Sequence, residues 1–184
     1  MATSKRTKHV ALLRGINVGG KNKLAMKDLA ALFVDAGCSD VATYIQSGNV
    51  VFSADAALSN RIPFVIAKAI ASRFKLSVPV VMRTADELRD VARRNPFLRS
   101  GAEPSALHVA FLADEPTPAQ IASLDPQRSL PDEFKVLGRE IYLHCPNGVA
   151  RSKLTNAWFD TKLATVSTAR NWNTVTKLLE LVVA

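Results

Sequence analysis

Val41-Ala42-Thr43-Tyr44-Ile45-Gln46-Ser47-Gly48-Asn49-Val50-Val51-Phe52-Ser53 is the stretch that decides the fold. Val41 to Gln46 is β-branched and aromatic, Ser47-Gly48-Asn49 is turn chemistry, and Val50 to Ser53 reads as the returning strand. A turn this tight makes the two strands antiparallel neighbours. On its N-terminal side lies an apolar strand, His9 to Leu13, then the loop Arg14-Gly15-Ile16-Asn17-Val18-Gly19-Gly20-Lys21-Asn22-Lys23. Met26, Leu29, Phe33 and Ala36 fall near helical spacing behind that loop, with Gly37 as a left-handed stop. On its C-terminal side a helix is predicted from about Asn60 to Phe74, with Ile62, Val65, Ile66, Ala69 and Ile70 on one face and Pro63 in its first turn. Ser77 to Met82 reads as a further strand. The order βαββαβ is the ferredoxin-like split arrangement.

The same order recurs further on. Thr84-Ala85-Asp86-Glu87 is a capping box that opens a helix through Leu88, Val91 and Ala92, and Asn95-Pro96 closes it. A Gly-, Pro- and Ser-containing connector, Leu98 to Ser105, leads to strand Ala106–Leu112, helix Pro118–Leu124 and the hairpin Glu133–Leu137/Glu140–Cys145. A helix near Ser152–Lys162, a short strand at Thr165-Val166 and a last helix from about Ala169 to Val183 complete the set. The expected fold class is therefore α/β (α+β), with two ferredoxin-like βαββαβ half-units and a C-terminal clasp helix. Residues 1–97 form the first half-unit with its linking helix, and residues 98–184 the second with its closing helix.

The 184 residues include 24 Lys and Arg against 16 Asp and Glu, a formal charge of +8, which tilts the partners towards anions. The two cysteines, Cys38 and Cys145, lie far apart in no C-x-x-C spacing, so a disulfide scaffold is not expected. Apolar runs are of strand length, which predicts no membrane span, and no secretory signal follows Lys5, Arg6 and Lys8. A cytoplasmic protein is the expectation.

Topology joins two separate stretches into one site. In this fold the third strand lies between the first and second, so the first and second strands run parallel and end at one edge. The loop 14–23 should then flank the turn 46–49. That edge offers Arg14, Lys21 and Lys23 as cations, and Asn17, Asn22, Gln46, Ser47 and Asn49 as neutral donors and acceptors. Gly15, Gly19, Gly20 and Gly48 allow backbone N–H groups to approach a ligand, and the helix start behind the loop adds positive character. Read as chemistry, this is an anion pocket; read as structure, it is a long polar loop with glycines for its path and lysines for solvation.

Gly15 to Lys21 also fits G-x-x-x-x-G-K between a strand and a helix, the opening of a P-loop. Asn22 stands where Ser or Thr would hold Mg²⁺, no Walker-B type Asp ends a later strand, and the hairpin demands an antiparallel neighbour. Nucleotide hydrolysis is disfavoured on those grounds.

Leu13 to Lys23 and Tyr44 to Phe52 resemble the opening motifs of the bacterial family known only as the domain of unknown function DUF1697. Ser152-Lys153-Leu154-Thr155-Asn156 and Thr168 to Val175 are similar to its closing motifs. The resemblance implies a two-part α/β fold of ferredoxin-like character and supplies no activity, cofactor or catalytic residue.

Ser152 reads as a helix N-cap; a Ser152/Lys153 nucleophile pair is disfavoured because adjacent helical positions diverge by about 100°. Thr168 or Ser167 is expected to cap the last helix, with Arg170 in its first turn, where a cation opposes the helix dipole. Arg170 would then bridge to a carboxylate such as Asp160, or join the anion site with Asn171. Trp172 begins an apolar stripe and reads as core. His9, His108 and His144 occur singly and define no metal site, and no cofactor is implied. Bases stacking on the sheet face, as in an RRM, would need exposed aromatics on the first and third strands, where only His9 and Phe52 are available.

The reading that follows is a module binding a phosphate-bearing ligand, RNA or DNA being favoured, through Arg14, Asn17, Gly19, Gly20, Lys21, Asn22, Lys23, Gln46, Ser47 and Asn49, with Arg170 and Asn171 as further candidates. The alternative is an enzyme for a small nucleotide or phosphorylated substrate with the same loop as phosphate cradle. A purely structural role is the third class.

Overall fold

The computed structural model describes residues 5–184. The chain divides into two compact units, Met1–Arg89 with Leu178–Ala184, and Asp90–Lys177. In the first unit β1 (Thr7–Leu13), α1 (Met26–Asp35), β2 (Ser39–Tyr44), β3 (Asn49–Ala54), α2 (Ala56–Ser59), α3 (Ile62–Phe74) and β4 (Val80–Thr84) follow in order. The sheet order is β2-β3-β1-β4, and every neighbouring pair is antiparallel. β1 and β2 each run against β3, so they are parallel and their C-terminal ends share one edge, as the ferredoxin-like order requires.

Apolar spacing explains which face is covered. Leu29, Leu32 and Phe33 of α1 and Ile62, Ile66 and Ile70 of α3 bury against Ala11 and Leu13 of β1 and Val50 and Phe52 of β3. Each of these larger side chains contributes about 1.5–3 kcal/mol on leaving water. Phe52 lies 5.1 Å from the Phe33 ring and 5.5 Å from that of His9. It is fully buried, and every other residue of β3 is buried too, so no aromatic there is open to a stacking base.

The strand ends differ from the sequence expectation in a physical way. β2 stops at Tyr44 because Ile45 turns left-handed, with φ 49°. β4 begins at Val80 rather than Ser77 and runs on to Thr84, which pairs with His9 and also caps the next helix. There the capping box forms as expected: the Glu87 N–H donates to Thr84 Oγ1 at 3.1 Å and the Thr84 N–H to Glu87 Oε2 at 2.7 Å. It opens α4 (Ala85–Arg94), and Asn95 then caps the four-residue α5 (Pro96–Arg99) rather than simply ending the chain's helical run.

β5 (Leu107–Leu112), α6 (Pro118–Ala122), β6 (Glu133–Leu137), β7 (Glu140–His144), α7 (Asn156–Leu163) and β8 (Ser167–Asn171) repeat the arrangement in the second unit, with sheet order β6-β7-β5-β8. Ala110, Leu112, Ile141 and Leu143 pack with Trp158, Phe159 and Leu163 of α7. The two sheets correspond in register: Val10 of His9-Val10-Ala11 faces Arg83, and Val109 of His108-Val109-Ala110 faces Arg170. The last helix, α8, runs Trp172–Val183, with Trp172, Val175, Leu178 and Val182 buried.

One boundary is corrected. The last strand is Ser167–Asn171, not Thr165-Val166, and α8 starts at Trp172, not Ala169. Its cap is Asn171, whose Oδ1 accepts the Thr174 N–H at 2.8 Å, in place of Ser167 or Thr168. Likewise Ser152 does not cap α7; Thr155 does, accepting the Trp158 N–H at 3.2 Å. Among the described residues no helix is long and apolar enough to cross a membrane.

Candidate functional site

Loop 14–23 is an ordered second hairpin. The Lys21 N–H donates to the Val18 carbonyl at 3.0 Å and the Asn17 N–H to the Asn22 carbonyl at 3.1 Å. Gly19 and Gly20, at φ 56° and 75°, are the two central residues of this tight turn, where both positions require positive φ. Their absent side chains face open space. Ile16 and Leu24, both buried, anchor the hairpin in the core.

Carboxamides fasten it. Asn17 Oδ1 accepts the Leu24 N–H at 2.9 Å, and its Nδ2 donates at 2.8 Å to the carbonyls of both Leu24 and Gln46. Asn22 Nδ2 donates to the Gly15 carbonyl at 2.9 Å. The bond from Asn17 to Gln46 ties the loop to the 46–49 turn, and the Leu13 N–H adds a second tie to the Gly48 carbonyl at 2.8 Å. Gly48, at φ 81°, is wedged so closely that a Cβ there would lie 2.8 Å from Leu13 Cβ and from Ile16 Cδ1. Asn49 is fully buried, donating through Nδ2 to the Tyr44 carbonyl at 3.0 Å and to Ser47 Oγ at 3.1 Å.

The juxtaposition expected from topology is therefore real, but its residues divide by task. Asn17, Asn22 and Asn49 spend their carboxamides on the protein's own backbone and shape the edge. Lys21 and Lys23 are exposed and make no side-chain hydrogen bond or ion pair among the described residues, and Gln46 is exposed beside them. Arg14 is half-buried, with its backbone N–H on the Pro79 carbonyl. Behind the loop α1 begins at Met26, and its N-cap, Ala25, offers no side-chain hydrogen bond, leaving first-turn N–H groups unsatisfied by any cap residue. Two features escape a reading of the sequence: Val18 (62% exposed) and Ile45 (49%) stand out on either side of the Asn17–Gln46 tie. Ile45 is a β-branched residue in left-handed backbone, a conformation that is rare and strained. No pattern of hydrophobicity signals such a residue.

The loop is not a P-loop. Its Gly-Gly-Lys lies in a hairpin turn, α1 starts only at Met26, and β1 has antiparallel neighbours on both sides.

Arg170 and Asn171 belong to the second unit. Arg170 lies on β8, 8% exposed, donating through Nη1 to Thr168 Oγ1 and to the Ala169 carbonyl, both at 2.8 Å. Burial lowers its pKa to about 10. Asp160, the expected carboxylate partner, accepts from the Ser167 N–H and hydroxyl, each at 2.7 Å. His9 and His108 are both held below the usual imidazole range by burial. Among the described residues no three His, Cys, Asp or Glu side chains gather as metal ligands would.

Two four-stranded antiparallel sheets, each with the split βαββαβ order, place the protein among mixed α/β proteins built of two ferredoxin-like half-units. The chain belongs to the DUF1697 family, a protein family of unknown function whose model matches residues 6–142. That match takes in the two opening motifs; Ser152–Asn156 and Thr168–Val175 lie beyond it. Among solved structures, the conserved bacterial protein SP0830 from Streptococcus pneumoniae is similar at 20% identity, with a TM-score of 0.69 over 97% of this chain and 99% of that one. Nothing among curated proteins matches.

Proposed function

We propose that the chain is a binding module for a phosphate-bearing ligand, nucleic acid above all, held at the edge made by loop 14–23 and turn 46–49. The observation that carries this reading is the pinning of a lysine-bearing hairpin to the neighbouring turn through Asn17, while Lys21 and Lys23 stay unspent and exposed. A pinned backbone holds its cations in place before a ligand arrives, which lowers the ordering cost of binding. Lys21, Lys23 and Arg14 supply charge, Gln46 supplies a polar contact, and the open space beside Gly19 and Gly20 lets a phosphate approach the backbone. Asn17, Asn22, Ser47 and Asn49 keep the scaffold in shape.

Fluorescence anisotropy with single-stranded RNA across a salt series tests the reading. Affinity should fall with salt, and Lys21→Ala with Lys23→Ala should flatten the logarithmic salt slope by about 1.4, roughly 0.7 for each phosphate no longer neutralised. Absence of binding at low salt, or binding indifferent to the double substitution, overturns it. A thermal-shift response to one nucleotide or sugar phosphate but not to polymer would point instead to an enzyme using the same loop as phosphate cradle.

A further inference from the structure

Ser152, freed from the capping role its sequence suggested, lines a cleft of about 410 Å³ built wholly from second-unit residues. Ser129, Asp132, Asn147, Gly148 and Arg151 line it too. The volume lies within the range of small-molecule sites, roughly 300–1,000 Å³.

The polar groups here are tied to one another and to the backbone. Ser129 Oγ donates to Asp132 Oδ2 at 2.8 Å and accepts the Lys153 N–H at 2.9 Å, so its orientation is fixed. The Ser152 hydroxyl accepts the Leu154 N–H at 3.2 Å. Asp132 is only 6% exposed, and the Asp132 N–H donates to the Ser129 carbonyl at 2.8 Å. A carboxylate this buried ordinarily has a cationic partner, because removing a charge from water is expensive. Among the described residues Asp132 forms no ion pair. Arg151, exposed on the same cleft, forms none either, and the two do not pair with each other. One cleft is thus lined by a carboxylate and a guanidinium that each lack an ion-pair partner among the described residues, with a hydroxyl and a carboxamide beside them.

We propose that this cleft binds a small zwitterion, its protonated amine on Asp132 and its carboxylate or phosphate on Arg151. Ser152 and Asn147 hydrogen-bond the body of the ligand. A simple anion would face the Asp132 carboxylate, and a simple amine would leave Arg151 without a partner; only a ligand carrying both charges satisfies both walls. The site stands independently of the loop in the first unit.

An amide NMR titration of the full chain tests the assignment, with β-alanine and O-phosphoethanolamine as zwitterions and ethanolamine and inorganic phosphate as half-ligands. Either zwitterion should shift the amides of residues 129–132 and 147–152 in a saturable way, at least about tenfold more tightly than the half-ligands. Asp132→Asn keeps the acceptor for Ser129 and removes the charge; Arg151→Ala changes an exposed side chain. Each should weaken zwitterion binding at least about tenfold while the remaining amide spectrum is unchanged. Saturation by β-alanine alone or by O-phosphoethanolamine alone identifies which anionic group the cleft takes. The proposal is overturned if neither zwitterion moves these amides up to about 10 mM, if phosphate alone binds as tightly, or if both variants bind like the wild type.

Discussion

Gly48→Ala probes the joint between loop and turn directly. Two effects add. Alanine at φ 81° would occupy left-handed backbone, which costs about 1–2 kcal/mol relative to glycine. Its methyl would also sit 2.8 Å from Leu13 Cβ and from Ile16 Cδ1, and 3.0 Å from Ile16 Cγ1. Ile16 can swing a terminal carbon away, but Leu13 Cβ is fixed to the end of β1, so relief requires the loop and turn to separate. Overpacking of this kind costs about 1–3 kcal/mol. The expected loss is about 2–5 kcal/mol, read as a lower urea midpoint in equilibrium unfolding. Gly19→Ala is the control, since its methyl would meet open space and only the backbone term, about 1–2 kcal/mol, applies. If the two variants unfold within about 0.5 kcal/mol of each other, the close packing of turn on loop is wrong, and with it the rigid edge on which the lysines stand.

Three further outcomes follow from the second unit and the cysteines. Burial pushes the Cys38 and Cys145 thiols up to about 11, with the Asp132 charge adding to the effect at Cys145. At pH 8 alkylation by iodoacetamide should therefore be about 100-fold slower in the native protein than in urea. Because the folded state holds these protons more tightly, their stabilising contribution is complete below about pH 9 and is lost as pH rises through 11, so urea midpoints should drop across that window. Asn171→Ala should cost about 1 kcal/mol through loss of the α8 cap, read as a lower urea midpoint; an unchanged midpoint would return the helix start to Ala169.

The first sheet is legible in the sequence because its signals are local: an apolar run in Val50–Phe52, a glycine at the turn, and apolar spacing in the two covering helices. Crossing rules then place loop 14–23 beside the turn without any contact being known. β8 is hidden because its strand is disguised. Ser167, Thr168 and Arg170 are all buried, yet none is apolar, and their burial depends on partners such as Asp160 that hydropathy does not reveal. Three helix-compatible residues behind two possible caps, with the working cap a few positions later, invite the wrong boundary. The asparagines of the candidate site carry a similar ambiguity. A carboxamide that reaches a ligand and one that reaches its own backbone are the same letter, and only the geometry of Asn17, Asn22 and Asn49 tells them apart. Asp132 and Arg151 escape notice for the opposite reason: they are 19 positions apart in sequence and meet only through the fold.

Membership of Leu178–Ala184 in the first unit gives synthesis an order of events. A ribosome releases the last strand of that unit's sheet at Thr84, but Leu178 and Val182, each about 1% exposed in the finished fold, emerge only after the whole second unit has been translated. At about 5–20 residues per second the delay is roughly 5–20 s. Throughout it the nascent first unit lacks these two buried side chains, which is the interval when a chaperone has something to hold.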